Sequence, residues 1–140
     1  MTTFALRSAT DRHHQARTLR REHIELLLRC AEHFAEPDRL LIEHLFHHGH
    51  SLRQVSRLLN IPVSTLHTRL RQLITRARSP LFIYVVCHLS DLPPALRQTA
   101  RLIVLQGHSL RETAHRTNRS LHTIRRHLTG LQTLAGIKHD

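Results

Sequence analysis

One stretch of this chain occurs twice. Gly49-His50-Ser51-Leu52-Arg53 returns as Gly107-His108-Ser109-Leu110-Arg111, and the alignment runs without a gap to Leu73 and Leu131 at a constant offset of 58 residues. Asn60 falls on Asn118, Thr65 on Thr123 and Leu70 on Leu128. A period of this length denotes two copies of one supersecondary unit, so the fold must accommodate that unit twice.

The unit reads as two helices joined by a tight turn. Ser51-x-x-Gln54 and Ser109-x-x-Glu112 have the capping-box pattern that opens a helix. A small residue follows, Ser56 or Ala114, where a second helix can cross closely. Asn60 and Asn118 come four residues later, and a turn between crossed helices needs a residue that tolerates positive φ, as Asn does. The second helix carries Val63, Leu66, Leu70 and Leu73 in copy one, and Leu121, Ile124, Leu128 and Leu131 in copy two. Steps of three and four place them on one apolar stripe. Pro62 suits the first turn. The opposite face presents Ser64, Thr65, His67, Thr68 and Arg71, or His122, Thr123, Arg125 and Arg126. Apolar toward its own domain and polar or basic outward is the pattern of a helix that reads a DNA groove.

On these residues copy two resembles the LuxR-type DNA-binding domain, from about residue 94 to 137. The likeness runs through Gly107-x-Ser109-x-x-Glu112-Thr113-Ala114 and Ser120-x-x-Thr123-Ile124-Arg125-x-His127-Leu128, and ends at Gly136-Ile137. Thr117 stands where that family usually has an apolar residue. Copy one, from about residue 38 to 78, is similar to the fourth region of bacterial sigma factors. Ser64-Thr65-Leu66-x-x-Arg69-Leu70 sits where those proteins read a promoter element. The polymerase-binding and promoter-melting regions of a sigma factor, and the signal or receiver domain of a LuxR-type protein, have no counterpart in these 140 residues.

The charge follows the repeat. Of a net +11, residues 37–79 contribute +5 from seven Arg against two acids, and residues 107–140 contribute +4 from six basic residues against two acids. A basic patch that coincides with a groove-reading helix is the footprint of nucleic-acid binding. Twenty of the 21 basic residues are Arg, which forks bidentately onto phosphate or guanine where Lys cannot. A GC-rich coding sequence would favour Arg, His and Leu equally well.

The expected fold is all-α: two tandem helix-turn-helix units with a long N-terminal helix and a central apolar connecting helix. Residues 1–9 read as a loose tail. A helix capped by Asp11 and running to about Ala35 forms segment 1–36, with Leu19, His23, Ile24, Leu27, Cys30, Ala31 and Phe34 near helical spacing. It either completes the core or dimerises the protein. Glu36-Pro37-Asp38 breaks it, and a helix from about Arg39 to His48 buries Leu41, Ile42, Leu45 and Phe46 and stops at Gly49. The first unit occupies 37–79. The connector, 80–92, holds Leu81 to Cys87, a buried helix or a strand, since four of those seven residues are β-branched or Tyr. Pro93-Pro94 opens the second unit, 93–140. Cys30 and Cys87 lie in apolar stretches and are expected to be small buried hydrophobes. No run is long enough to span a membrane and no apolar signal core opens the chain, so the expected location is the cytoplasm.

Fifteen histidines raise the question of a metal. His44 with His47 or His48 would share a helix face, with His50 nearby, but no Cys or carboxylate completes a set. We expect no metal and no cofactor. The adjacent pairs His67-Thr68 and His122-Thr123 are better explained by the reading helices than by catalysis, and no enzymatic site is expected. The expected function is sequence-specific regulation of transcription through double-stranded DNA. Ser64, Thr65, His67, Thr68 and Arg71 would face bases and phosphates from copy one, with Arg69 flanking on phosphate; His122, Thr123, Arg125 and Arg126 would do so from copy two, with His127 near the backbone. A homodimer would cover an extended operator. The competing reading uses the same fold to dock on RNA polymerase or another regulator, and expects an exposed apolar patch on the first helix or on residues 81–87.

Overall fold

The structure is a computed structural model that describes residues 21–137. Asp11, Leu19 and the segment 1–9 lie outside the described residues. Within them the chain is all-α, with eight helices and no strand. Helix α1 covers 21–30 and closes with a 3₁₀ turn, Ala31–His33. Helix α2 (Glu36–Ile42) runs into a wider π-type turn, Glu43–His47. Helices α3 (Leu52–Leu59) and α4 (Val63–Ala77) follow. Then come α5 (Pro80–His88) with a 3₁₀ turn Leu89–Asp91, and α6 (Pro94–Thr99) with a π-type turn Ala100–Leu105. Helices α7 (Leu110–Thr117) and α8 (Leu121–Leu134) complete the fold.

The duplication is larger than the matching residues indicate. The same offset of 58 carries α1 onto α5 and the first 3₁₀ turn, Ala31–His33, onto the second, Leu89–Asp91. Phe34 and Leu92 both leave those turns buried and extended, at ψ 156° and 144°. Each π-type turn then folds back alike: His50 N–H donates to the His44 carbonyl at 3.0 Å, and His108 N–H to the Leu102 carbonyl at 2.9 Å. Gly49 and Gly107 supply the positive φ these exits need, 67° and 77°. The segment 80–92 is therefore the structural counterpart of α1, and its apolar run is helical. Pro37, expected to break the first helix, sits instead in the first turn of α2, where its missing N–H costs nothing. The break falls at Phe34–Ala35, where the backbone is extended.

The two copies share one core. Leu27, Phe34, Ile42 and Leu73 from the first join their equivalents Val85, Leu92, Ala100 and Leu131 from the second in one buried cluster. Burial of this kind contributes about 1.5–3 kcal/mol per large apolar side chain. The Phe34 and Phe82 rings meet across the boundary at 6.0 Å between centroids. Arg76, at the end of α4, also crosses it: its guanidinium lies 5.6 Å over the Phe34 ring, 3.7 Å from the Asp38 carboxylate, and against Gly107. Burial pulls the Arg76 guanidinium below its ordinary range, and Asp38 opposes that shift.

Cys30 is buried, but Cys87 is exposed. Phe82 and Val85 define the buried stripe of α5. Cys87 follows Val85 by two residues, about 200° around a helix, so it points away from the core. Among the described residues no helix is long and apolar enough to cross a membrane.

Candidate nucleic-acid interface

Each second helix is positioned from its first. Ser51 Oγ accepts from Gln54 N–H at 3.2 Å while Gln54 Oε1 accepts from Ser51 N–H at 2.8 Å, so the capping box of α3 is complete. In α7 only the forward half forms, Glu112 N–H to Ser109 Oγ at 3.0 Å. The Glu112 carboxylate turns to Arg116 (3.1 Å) and His108 (3.2 Å) instead, and the Arg116 hydrogen bond first, then His108, holds it below its ordinary pKa. Asn60 and Asn118 take the left-handed conformation, φ 55° and 52°. Ile61 N–H then reaches back to the Ser56 carbonyl at 3.1 Å, and Arg119 N–H to Ala114 at 3.0 Å. These six-residue closures absorb carbonyls that the helix end would leave free. The Ser56 hydroxyl adds a bond to the Ile61 carbonyl.

Beneath the helices the two copies use different atoms in the same places. Copy one closes its inner layer with Leu41, Val55 and Leu66. Copy two has Thr99, Thr113 and Ile124 there, all fully buried. Thr and Val have similar shapes, and each buried hydroxyl finds a partner, as buried polar groups must. Thr113 donates to Ser109 O at 2.8 Å, and Thr99 reaches Ala95 O at 3.3 Å and His127 Nδ1 at 2.8 Å. Thr117 is accommodated the same way, donating to Thr113 O at 2.7 Å.

The outward faces carry the residues expected there. On α4, Ser64, Thr65, His67, Thr68 and Arg71 are exposed, and Arg69 is half-buried at the margin. The Thr68 hydroxyl is turned back to the Ser64 carbonyl at 3.0 Å. On α8, His122, Arg125 and Arg126 are exposed, while Thr123 is half-buried and its hydroxyl lies 2.9 Å from that of Ser120. Ser120 caps this helix by accepting from Thr123 N–H at 3.1 Å, a role that Pro62 cannot take in copy one. His127, equivalent to Arg69, is half-buried and tied to Thr99. Burial first, then Arg119 and Arg126, holds its imidazole below the ordinary histidine range.

Sequence reasoning missed two features of these faces. A shallow hollow of about 620 Å³ follows α8 past His122, Arg125, Arg126 and Thr129, opened where Gly130 lacks a side chain. Gln72 stands at that position in α4, and the hollow beside it is about 350 Å³. Conversely, His67 and Arg71 border a cavity of about 550 Å³ between α4 and α1. The signal for the first was the lone glycine inside a helical pattern. Of the histidine group, His44, His48 and His50 gather with ring centroids 5.6–5.8 Å apart, while His47 is exposed. Among the described residues no three His, Cys, Asp or Glu are placed to hold a metal ion.

No protein family, curated protein or solved structure matches the chain.

Proposed function

We propose that this chain is a sequence-specific DNA-binding regulator of transcription, acting in the cytoplasm, that presents α4 and α8 to the major groove of double-stranded DNA. The observation that carries the reading is the face of α8. His122, Arg125 and Arg126 are exposed side by side near the start of a helix whose underside, Ile124 and Leu131, is fully buried. A helix held rigidly from below, with free forked cations outside, can hydrogen-bond phosphates and guanine edges together. The hollow at Gly130 leaves room for a sugar–phosphate strand to approach the helix. The resemblance to LuxR-type domains and to sigma fourth regions supports the same reading. Phosphate contacts supply most of the affinity, and each Arg-to-guanine pair adds about 1–3 kcal/mol of discrimination. Two copies on one duplex would set α4 and α8 about 34 Å apart along it, and a homodimer would extend the site.

The second reading is a docking module for RNA polymerase or another regulator. It is favoured by Ile83, more than half exposed on α5, with Cys87 one turn further along the same face.

Selection from a random duplex pool, sequenced after binding at two salt concentrations, tests the proposal. An enriched motif is expected. Salt-sensitive binding without enrichment would overturn it in favour of the docking reading.

A further inference from the structure

The cavity between α1 and α4 has apolar walls and a polar rim of one arginine and three histidines. Ile24, Leu27, Phe46 and Leu70 contribute to the walls. His23, His50, His67 and Arg71 also line it, and among the described residues no carboxylate does. Its volume, about 550 Å³, falls within the range of sites for small molecules, about 300–1,000 Å³. His50 Nδ1 is itself enclosed without a hydrogen-bond partner among the described residues, as is Nδ1 of His44, whose ring stacks on that of His50 at 5.6 Å between centroids. Buried nitrogens of this kind are ordinarily satisfied.

The duplication explains why the space lies in copy one. Phe82 in copy two takes the position of Ile24 and is fully buried, whereas Ile24 is half-buried. At the equivalent rim positions Leu81 and Thr129 replace His23 and Arg71, while His108 and Arg125 stand for His50 and His67, so copy two keeps half of the polar rim.

We infer that this cavity is a binding site for a small anionic amphiphile, a molecule with a hydrocarbon tail and a carboxylate head. The tail would occupy the walls of α1 and α4, and the head would take hydrogen bonds from Arg71 and the rim histidines. An apolar body with a few convergent polar groups is the usual composition of such sites. His67 and Arg71 belong both to this rim and to the candidate DNA face. A bound carboxylate would therefore compete with phosphate for them, a consequence that rests on the DNA reading, whereas the site itself does not.

Calorimetric titration of the full chain with octanoate, octan-1-ol and octylamine, without DNA, tests the site. Saturable binding of one octanoate per chain is expected, with the alcohol weaker by about tenfold or more, because a charge-assisted hydrogen bond is lost. Octylamine should not bind. Arg71→Gln, at an exposed position, should reduce octanoate to the level of the alcohol, and Ile24→Trp should abolish binding by filling the wall. Melting curves establish that both variants fold. Failure of octanoate to bind, equal binding of all three probes, or unchanged octanoate affinity in a folded Arg71→Gln would overturn the inference. Since no DNA is present, failure of the DNA reading leaves this result unaffected.

Discussion

Copies one and two have the same backbone and different chemistry. The serine caps of α3 and α7, the left-handed asparagines and the π-type turns coincide at an offset of 58 residues. Leu41, Val55 and Arg69 of copy one become Thr99, Thr113 and His127 in copy two; Thr99 and His127 meet at 2.8 Å, while Thr113 bonds within its own helix. Arg69 stands at the margin of an exposed face, whereas His127 turns to a buried threonine. Copy one keeps a cavity beside α4, and copy two keeps free arginines and a glycine hollow on α8. The turns and left-handed asparagines fix the scaffold, and the side chains placed on it give two equivalent helices different surfaces.

The comparison breaks most readily at the shared core. Leu73 and Leu131 are equivalent, fully buried and in one cluster. Each Leu→Ala variant should lose about 2–5 kcal/mol of stability. Because the cluster is common, either variant should unfold the whole chain in one transition, seen as coincident urea curves by circular dichroism and by amide exchange in both copies. Loss of copy one alone in Leu73→Ala would show two independent cores.

Gly49 and Gly107 sharpen the difference at the boundary. Alanine at either must adopt left-handed backbone, at about 1–2 kcal/mol. At Gly107 the added Cβ would also overlap the Arg76 guanidinium, while at Gly49 it meets open space. Thermal melts should therefore rank Gly107→Ala below Gly49→Ala. Equal losses would mean that Arg76 moves aside freely and does not join the copies.

His127 gives a smaller effect. Its folded pKa is depressed, so its share of stability is fully present above the unfolded value of about 6.5 and is lost as pH falls through the folded value. An NMR titration should place its imidazole midpoint below that ordinary value. Thr99→Val should remove the bond and cost about 1 kcal/mol. A midpoint at or above the ordinary value would contradict the buried Thr99–His127 contact.

The all-α fold, the capped starts of α3 and α7 and the positive φ at both asparagines were legible, because each rests on a local residue type at a fixed position. The exposed residues of α4 and α8 were legible from helical spacing. The full extent of the duplication was not. Leu27 and Val85, or Phe34 and Leu92, are equivalent only in being buried, and side-chain identity carries no trace of it. Polar residues inside copy two hid its inner layer, since a lone threonine does not announce a buried hydroxyl bonded to its own helix. The outward turn of Cys87 depended on which stripe α5 buries, and its nearly continuous apolar run left that choice open.

The central claim is that both second helices read DNA. The most direct test is the affinity of two paired variants for the motif selected by the parent chain, with each half of that motif scrambled in turn. Arg125→Ala/Arg126→Ala should lose its preference for one half, and Arg69→Ala/Arg71→Ala for the other. Loss of the same half in both variants, or of neither, would contradict the account.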